Sequence, residues 1–431
     1  MSVKISLPAR NGLKRIVIVG GGFGGLRLAR TIDRNYFQVI LIDKNNYHQF
    51  QPLFYQVATS GVEPSDISFP FRKIFQREKN IYFRLCEAVK VDREHSVLHT
   101  DIGAVDYDYL VIAGGCKTNF YGNKTMEERC LTLKSVPEAL LLRNHILESI
   151  EQALNSTDAV TRESHLNFFI VGGGATGVEL SGAIGEMRKF VFPKDYPEMD
   201  FSGMNVYLID ASDRILSAFD EKASADAARY LDKLGIRMLM HTTIKEYEDN
   251  KVILSDGQII PSRNVFWVAG ISGNKLEGFD PAQWGRGDRL ITDDHLLVSG
   301  EKNIYAIGDI SLQPFVNEGR GYPQVAQVAI QQGEYVAQSL YIHKLFITPP
   351  PFIYKDKGSM ATVGRNVAIA RIGKLKLQGI LAWFIWCFVH LMTIVGVKNK
   401  LFIFINWLWS YVTYDLSLRL IIKPEHRKTE K

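Results

Sequence analysis

Two glycine runs, GGGFGG at Gly20 to Gly25 and GGGATG at Gly172 to Gly177, constrain this 431-residue chain more than any other feature in it. Each follows a short run of apolar residues (RIVIV from Arg15 to Val19, NFFIV from Asn167 to Val171) and opens a segment of helical character. Each is followed by a second strand-like run that ends in an acid: Phe37 to Ile42 leads into Asp43, and Asn205 to Ile209 into Asp210. This is the G-x-G-x-x-G fingerprint of a dinucleotide-binding β-α-β unit, met twice with its flanking strand, helix and acid in place. The first glycine permits a tight turn, the second lets a pyrophosphate approach the backbone, and the third lets helix and strand pack closely. The helix N-terminus offers N–H groups and a partial positive charge to the phosphates. The terminal acid accepts hydrogen bonds from a ribose hydroxyl. A whole β-α-β unit repeated at long separation predicts an α/β fold with two Rossmann-like dinucleotide-binding domains, not a short-period solenoid.

The length predicts two or three domains. Strand signals at Ile81 to Leu85, Ser96 to His99 and Tyr107 to Ala113 lie between the two units. The segment Val252 to Trp267, a hairpin with an Asp-Gly turn and then a buried strand, repeats that late feature in the second unit. A further strand–glycine feature, IYAIGD at Ile304 to Asp309, follows the second unit, which makes the first domain discontinuous. Three prolines, Pro349 to Pro351, mark a joint before a stretch rich in Trp, Phe, Ile and Leu. The expected organisation is a first domain over 1–118 and 296–348, a second over 119–295, and a C-terminal helical region over 349–431.

A formal net charge of +5 is too small to imply nucleic acid as a partner, and it is compatible with anionic lipid. Cys86, Cys116, Cys130 and Cys387 show neither CxxC nor metal-ligand spacing, so no metal site is expected and free thiols in a reducing compartment are. The N-terminus, MSVKISLPARNGLKR, lacks the apolar core of a signal peptide, so the bulk of the chain is expected in the cytoplasm. Asp210 would repel a 2′-phosphate and so favours NADH over NADPH, with Arg214 close by in sequence. Two dinucleotide sites in one chain imply one tightly held redox cofactor and one exchanging donor, hence an enzyme.

With these residues in view, the chain resembles the two-dinucleotide-domain flavoprotein reductases, and type II NADH dehydrogenases (NADH:quinone oxidoreductases) in particular. The resemblance runs over nearly the whole length: VIVGGGFGGL, DKNNYHQFQPLFYQVATSG after Asp43, YDYLVIAGG, VGGGATGVELSG, AIGD at Ala306 to Asp309, AQVAIQQG at Ala326 to Gly333, and the aromatic tail. It implies non-covalent FAD in the domain of the first fingerprint and NADH as substrate on the second. The pyrophosphate of FAD would lie on Gly20, Gly21, Gly22, Phe23 and Gly24, with Gly25 closing the turn. Asp43 and Lys44 would hold the adenosine half, Val89 would meet the adenine side through its backbone, and Ala113 would border the cofactor. Asp309 would bind the ribityl chain. Ala326 and Gln327 would approach the flavin ring at a helix N-terminus, where N–H groups stabilise negative charge on the reduced ring. Gly172, Gly174, Gly177 and Asp210 would hold NADH. Glu179, directly after the second fingerprint, would sit where nicotinamide meets flavin and orient the pair or handle a proton; it could equally be a first-turn acid favoured by the helix dipole. Gln327 and Gln331, four apart, share a helical face and could hydrogen-bond a quinone carbonyl, or cap neighbouring backbone. His48 reads as structural.

The tail carries the partner. Leu377 to Gly396 contains no Asp, Glu, Lys or Arg, and Leu401 to Tyr411 follows the polar link Lys398 to Lys400. Lysines flank the first stretch on both sides, and Trp383, Trp386, Trp407 and Trp409 cluster here, as at a lipid–water boundary. The resemblance implies monotopic attachment to the lipid bilayer on the cytoplasmic face of the cell membrane. Twenty uncharged residues leave a single span over 377–396 open. The expected reaction takes a hydride from NADH to FAD and passes two electrons to a membrane quinone, ubiquinone or menaquinone, without proton pumping. A homodimer is left open. The alternatives are a sulfide:quinone oxidoreductase using Cys130, a soluble NAD(P)H flavin reductase, and a flavin-binding redox sensor.

Overall fold

Strand Lys14–Val19 buries four consecutive side chains, Arg15 to Ile18, because a parallel strand between two neighbours is covered on both faces. The computed structural model describes residues 4–344, 347–413, 416 and 418–423. They divide into two compact units, one built from 1–48, 69–117 and 271–357, the other from 49–68, 118–270 and 358–431. The chain re-enters the first unit at Ile271. Residues 49–68 pack with the second unit.

In the first unit a five-stranded parallel sheet runs in the order Ile304–Ala306, Tyr109–Ile112, Lys14–Val19, Phe37–Asp43, Ile81–Leu85. Val19 pairs with both Ile42 and Ile112, which brings the ends of three strands to one rim. An antiparallel sheet of Ala88–Asp92, Val97–Thr100 and Gly103–Asp106 shares a core with it, through Val17, Ile40, Val91, Leu98 and Val105. Helix Phe23–Thr31 lies against helix Ala326–Lys344 through small residues. A Cβ on Gly24 would come 3.0 Å from the Ala329 carbonyl oxygen, and one on Gly333 would collide with the Gly24 carbonyl. The closing glycine of AQVAIQQG is thus a packing requirement between two helices.

The second unit repeats the plan with a four-stranded parallel sheet ordered Ile236–Leu239, Asn205–Ile209, Asn167–Val171, Asn264–Trp267. Its fingerprint helix, Ala175–Glu186, passes directly into a π-helical turn, Met187–Val191. The expected hairpin forms between Lys251–Leu254 and Ile259–Pro261, turning at Gly257 with φ +89°.

The C-terminal region departs from the purely helical expectation. A three-stranded antiparallel sheet comes first: Ser359–Gly364, Val367–Ile372 and Leu375–Gly379. Its second turn falls at Gly373, with φ +58°, and its first strand packs on the fingerprint helix where a Cβ on Gly182 would collide with the Val363 carbonyl. Two helices follow, Ile380–Thr393 and Val397–Thr413. The uncharged stretch 377–396 is therefore split at Gly379, whose φ of +76° ends the strand. Fourteen helical residues rise about 21 Å, short of a hydrocarbon core of about 30 Å. Among the described residues no helix is long and apolar enough to cross a membrane. Each tail helix buries one narrow stripe, Ala382 with Trp386 and Asn399 with Ile403, and leaves other large apolar side chains exposed, among them Phe384, Phe388, Phe402, Leu408 and Trp409.

Candidate active site

The two glycine loops have the same geometry. Gly20 has φ +102° and Gly172 has φ +120°; a side chain at either would also strike the neighbouring strand's extension, at Ala113 and Ala269 respectively. The third glycines, Gly25 and Gly177, leave no room for a Cβ against the carbonyls of Gly20 and Gly172. The second glycines differ: a Cβ on Gly22 or Gly174 would meet nothing within 4 Å. Both are N-caps of their helices without a side-chain cap, so the first-turn N–H groups face open space where a phosphate fits.

The acids at the strand ends hold these loops. Asp43 accepts from Gly21 N (2.7 Å) and Asn45 N (2.7 Å), and Asp210 accepts from Gly173 N and Ser212 N. Burial raises the Asp43 carboxyl, while the N–H groups of Asn45 and Gly21 work against that rise. His48 completes the clamp on Gly21. Buried and held neutral by desolvation, its Nδ1–H donates to the Gly21 carbonyl at 2.9 Å, with Phe23 edge-on at 5.2 Å. Arg214 is committed to the carbonyls of Phe219 and Ser217, so its guanidinium is engaged by its own loop.

Within the first unit, Asp309 lies in the 3₁₀ turn Gly308–Ile310, where its carboxylate accepts from Cys116 Sγ at 3.0 Å and its carbonyl from Gln324 Nε2 at 2.9 Å. Ala326 and Gln327 begin helix Ala326–Lys344, as the sequence implied. Gln331 is fully used on backbone: its amide donates to Lys355 O (2.9 Å) and accepts from Lys355 N (3.0 Å). Gln332, passed over in the sequence, is buried and accepts from Gly308 N at 2.6 Å, holding the turn that carries Asp309. Lys44 is exposed, and Val89 sits at the bulge between Ala88 and Lys90 with its side chain exposed.

Glu179 lines a cavity contained within the second unit. Its carboxylate accepts from Thr362 N at 3.3 Å, and burial pushes its pKa up to about 8. Thr362 Oγ1 lies 2.9 Å from Tyr55 Oη, Gln56 Nε2 donates to that hydroxyl at 2.9 Å, and Trp407 Nε1 donates to Gln56 Oε1 at 2.8 Å. An unbroken hydrogen-bonded chain therefore joins the second tail helix to Glu179. The walls are aromatic: Trp383 stacks on Tyr411 at 5.6 Å, and Trp386 packs against Trp407 at 5.6 Å. Trp386 is 1% exposed and its Nε1–H has no hydrogen-bond partner among the described residues. The cavity is apolar, with a carboxyl on its wall that burial raises, which suits a flat apolar ring bearing carbonyl oxygens. Nothing in local sequence announced it, since Tyr55, Thr362 and Trp386 meet only through the fold.

The two cradles and their acids define a dinucleotide-dependent oxidoreductase, and the comparisons agree. The pyridine nucleotide-disulphide oxidoreductase family model matches residues 14–333, and the NDH2 C-terminal domain model matches residues 357–413. A type II NADH:quinone oxidoreductase of Mycobacterium tuberculosis is 33% identical over 415 residues, covering 93% of this chain and 88% of that protein. The fold is shared with NDH2 from Plasmodium falciparum solved with NADH (TM-score 0.86, 21% identity, 95% of this chain and 100% of that one). It is shared more distantly with the sulfide:quinone oxidoreductase of Aquifex aeolicus (TM-score 0.71, 18% identity, 90% and 92%). This chain belongs to the type II NADH:quinone oxidoreductase family.

Proposed function

We propose that the chain holds FAD non-covalently on the first fingerprint, takes NADH on the second, and reduces a membrane quinone in the Glu179 cavity, without proton pumping. The observation that carries the quinone assignment is that cavity, with its aromatic walls and its carboxyl. The open space over Gly22, with Asp43 and His48 bracing Gly21, is what an FAD pyrophosphate requires. FAD when bound supplies the two-electron acceptor and donor between nicotinamide and quinone. The residues assigned to it are Gly20 to Gly25, Asp43, Lys44, the Val89 backbone, Ala113, Asp309, Ala326 and Gln327. The residues assigned to NADH are Gly172, Gly174, Gly177 and Asp210.

The reaction NADH + H⁺ + quinone → NAD⁺ + quinol takes up one proton from the surroundings. Glu179 supplies it: protonated at neutral pH, its carboxyl gives the proton to a quinone oxygen and is then recharged. Tyr55 and Thr362 fix the carboxyl's orientation through their hydrogen bonds. Gln327 serves the ring end of the flavin site, and Gln331 positions it by tying its helix to Lys355. The exposed apolar faces of the tail helices lie in one leaflet on the cytoplasmic face of the membrane, where a lipid-soluble quinone is at hand.

A sulfide-oxidising reading is disfavoured by the thiols. Burial pushes Cys130 and Cys387 each up to about 12, so neither is a thiolate at neutral pH. The direct test is NADH oxidation by the membrane-bound protein with ubiquinone or menaquinone, with its flavin identified after release. Turnover with one-electron dyes but never with a quinone would sink the acceptor assignment.

Asp210→Asn tests the second site separately. The amide oxygen can accept from Gly173 N while the contacts from Ser212 are lost, and the side chain no longer repels a 2′-phosphate. The ratio of kcat/KM for NADH to that for NADPH is expected to fall by about tenfold, the worth of one charge-assisted hydrogen bond. An unchanged ratio would show that Asp210 braces the loop only.

A further inference from the structure

The fingerprint helix carries a second acid on the same face. Glu186 follows Glu179 by seven residues, two turns and about 10 Å along the axis, and both line the one cavity. The positions between them on that face are small, Gly182 and Ala183. Gly182 is pressed against the Val363 carbonyl, and Ala183 lines the cavity floor between the two carboxyls. The hairpin strand Ser359–Gly364 runs alongside, offering Thr362 N to Glu179 and, one residue past its end, Arg365 N to Glu186. Gly364 adjoins the second acid closely, since a Cβ there would lie 2.9 Å from Glu186 Oε1.

We propose that Glu186 is the proton-loading group of this site: it recharges Glu179 along the cavity after each quinone reduction. The inference rests on the quinone reading above and names where that reaction's proton comes from. The step balances without further reactants. The Glu179 O–H bond breaks as one quinone O–H bond forms, while the two electrons and the second quinol hydrogen come from the hydride of NADH. The Glu179 carboxylate then takes a proton passed through cavity water from the Glu186 carboxyl, and Glu186 takes one from bulk water. Burial pushes Glu186 up to about 7, against the opposing influence of the Arg365 N–H and guanidinium, so it exchanges protons at neutral pH. Burial raises Glu179 in the same way, up to about 8, so both carboxyls on this face can carry a proton near neutral pH.

The other titratable groups on the walls do not compete for this role. Burial lifts Tyr55 well above its ordinary value and Cys387 up to about 12, so both stay protonated. Arg365 lies over the Tyr411 ring at 4.7 Å. Arg188, in the π-turn beyond Glu186, donates to the carbonyls of Met204 and Leu234.

The bland account of Glu186 is a cap for the Arg365 turn, and the two accounts predict different results for Glu186→Gln. As a loading group, its loss should leave flavin reduction by NADH within twofold of wild type in stopped flow. Reoxidation by a quinone should slow at least tenfold at pH 7 and below, where Glu186 carries a proton to pass on, and Glu186→Asp should restore part of that rate. A second readout needs no turnover: the infrared C=O band of protonated carboxyl, followed from pH 5.5 to 9, should lose a component titrating near 7 in the Gln variant. A folded, flavin-loaded Glu186→Gln protein whose reoxidation profile and infrared titration both superimpose on wild type would overturn the proposal. Absence of quinone reduction in the wild-type protein would instead overturn the functional reading on which it rests.

Discussion

Glu179→Gln is expected to lower quinone-dependent NADH oxidation at pH 7 by about 100-fold or more, the usual cost of removing a positioned acid. The substitution keeps the shape and the acceptor for Thr362 N, 3.3 Å away, and removes only the proton. The pH dependence fixes the sign. A carboxyl raised to about 8 carries its proton below that pH and loses it above, so wild-type quinone reduction should hold up to about pH 8 and then fall. In the Gln variant that upper limb should vanish along with most of the rate. Stopped flow separates the two half-reactions, and the loss should fall on quinone reduction. Glu179 is the fifth residue of helix Ala175–Glu186, past the first turn, so were both half-reactions to keep wild-type rates it would be no more than a buried acceptor for Thr362 N.

What could be read in advance, and what could not, follows from how far apart the interacting residues lie. The glycine loops were legible because strand, turn, helix and acid sit within about thirty residues, and each glycine answers to a local steric demand. Gln331 was ambiguous for the opposite reason. Its i, i+4 spacing with Gln327 is real, but its partner is the Lys355 backbone, 24 residues away. The three-stranded sheet at 359–379 is masked in the sequence by the apolar run beginning at Leu377, whose length suits a helix, although the turn at Gly373 and the Lys374, Lys376 alternation are both present. The cavity was beyond local reading altogether, being assembled from residues 55–61, 179–186, 362–365 and the tail. Glu186 left one trace: a helix otherwise made of small and apolar residues, ATGVELSGAIGE, bears two acids on one face.

That same tail sets up the second large effect. Phe388 is 65% exposed and Leu408 53%, one on each tail helix, and neither lines the cavity or the glycine loops. Each side chain inserted in a lipid interface contributes about 1.5–3 kcal/mol, and a carboxylate there adds a desolvation cost. The double variant Phe388→Asp/Leu408→Asp should therefore weaken membrane partitioning by at least about 100-fold, since 1.4 kcal/mol corresponds to a factor of ten. The protein should move from the membrane pellet to the supernatant while NADH oxidation with a water-soluble quinone stays within about twofold. Turnover of the long-chain membrane quinone should fall with the partitioning, because only the route of access has been cut. Lysines at 374, 376, 398 and 400 leave a residual attraction to anionic lipid that salt should screen, so the pellet assay belongs at about 0.15 M ionic strength, where the Debye length is about 8 Å. Retention of the double variant in the membrane fraction under those conditions would mean that the exposed faces are covered by protein, as in a subunit interface, and that the leaflet assignment is wrong.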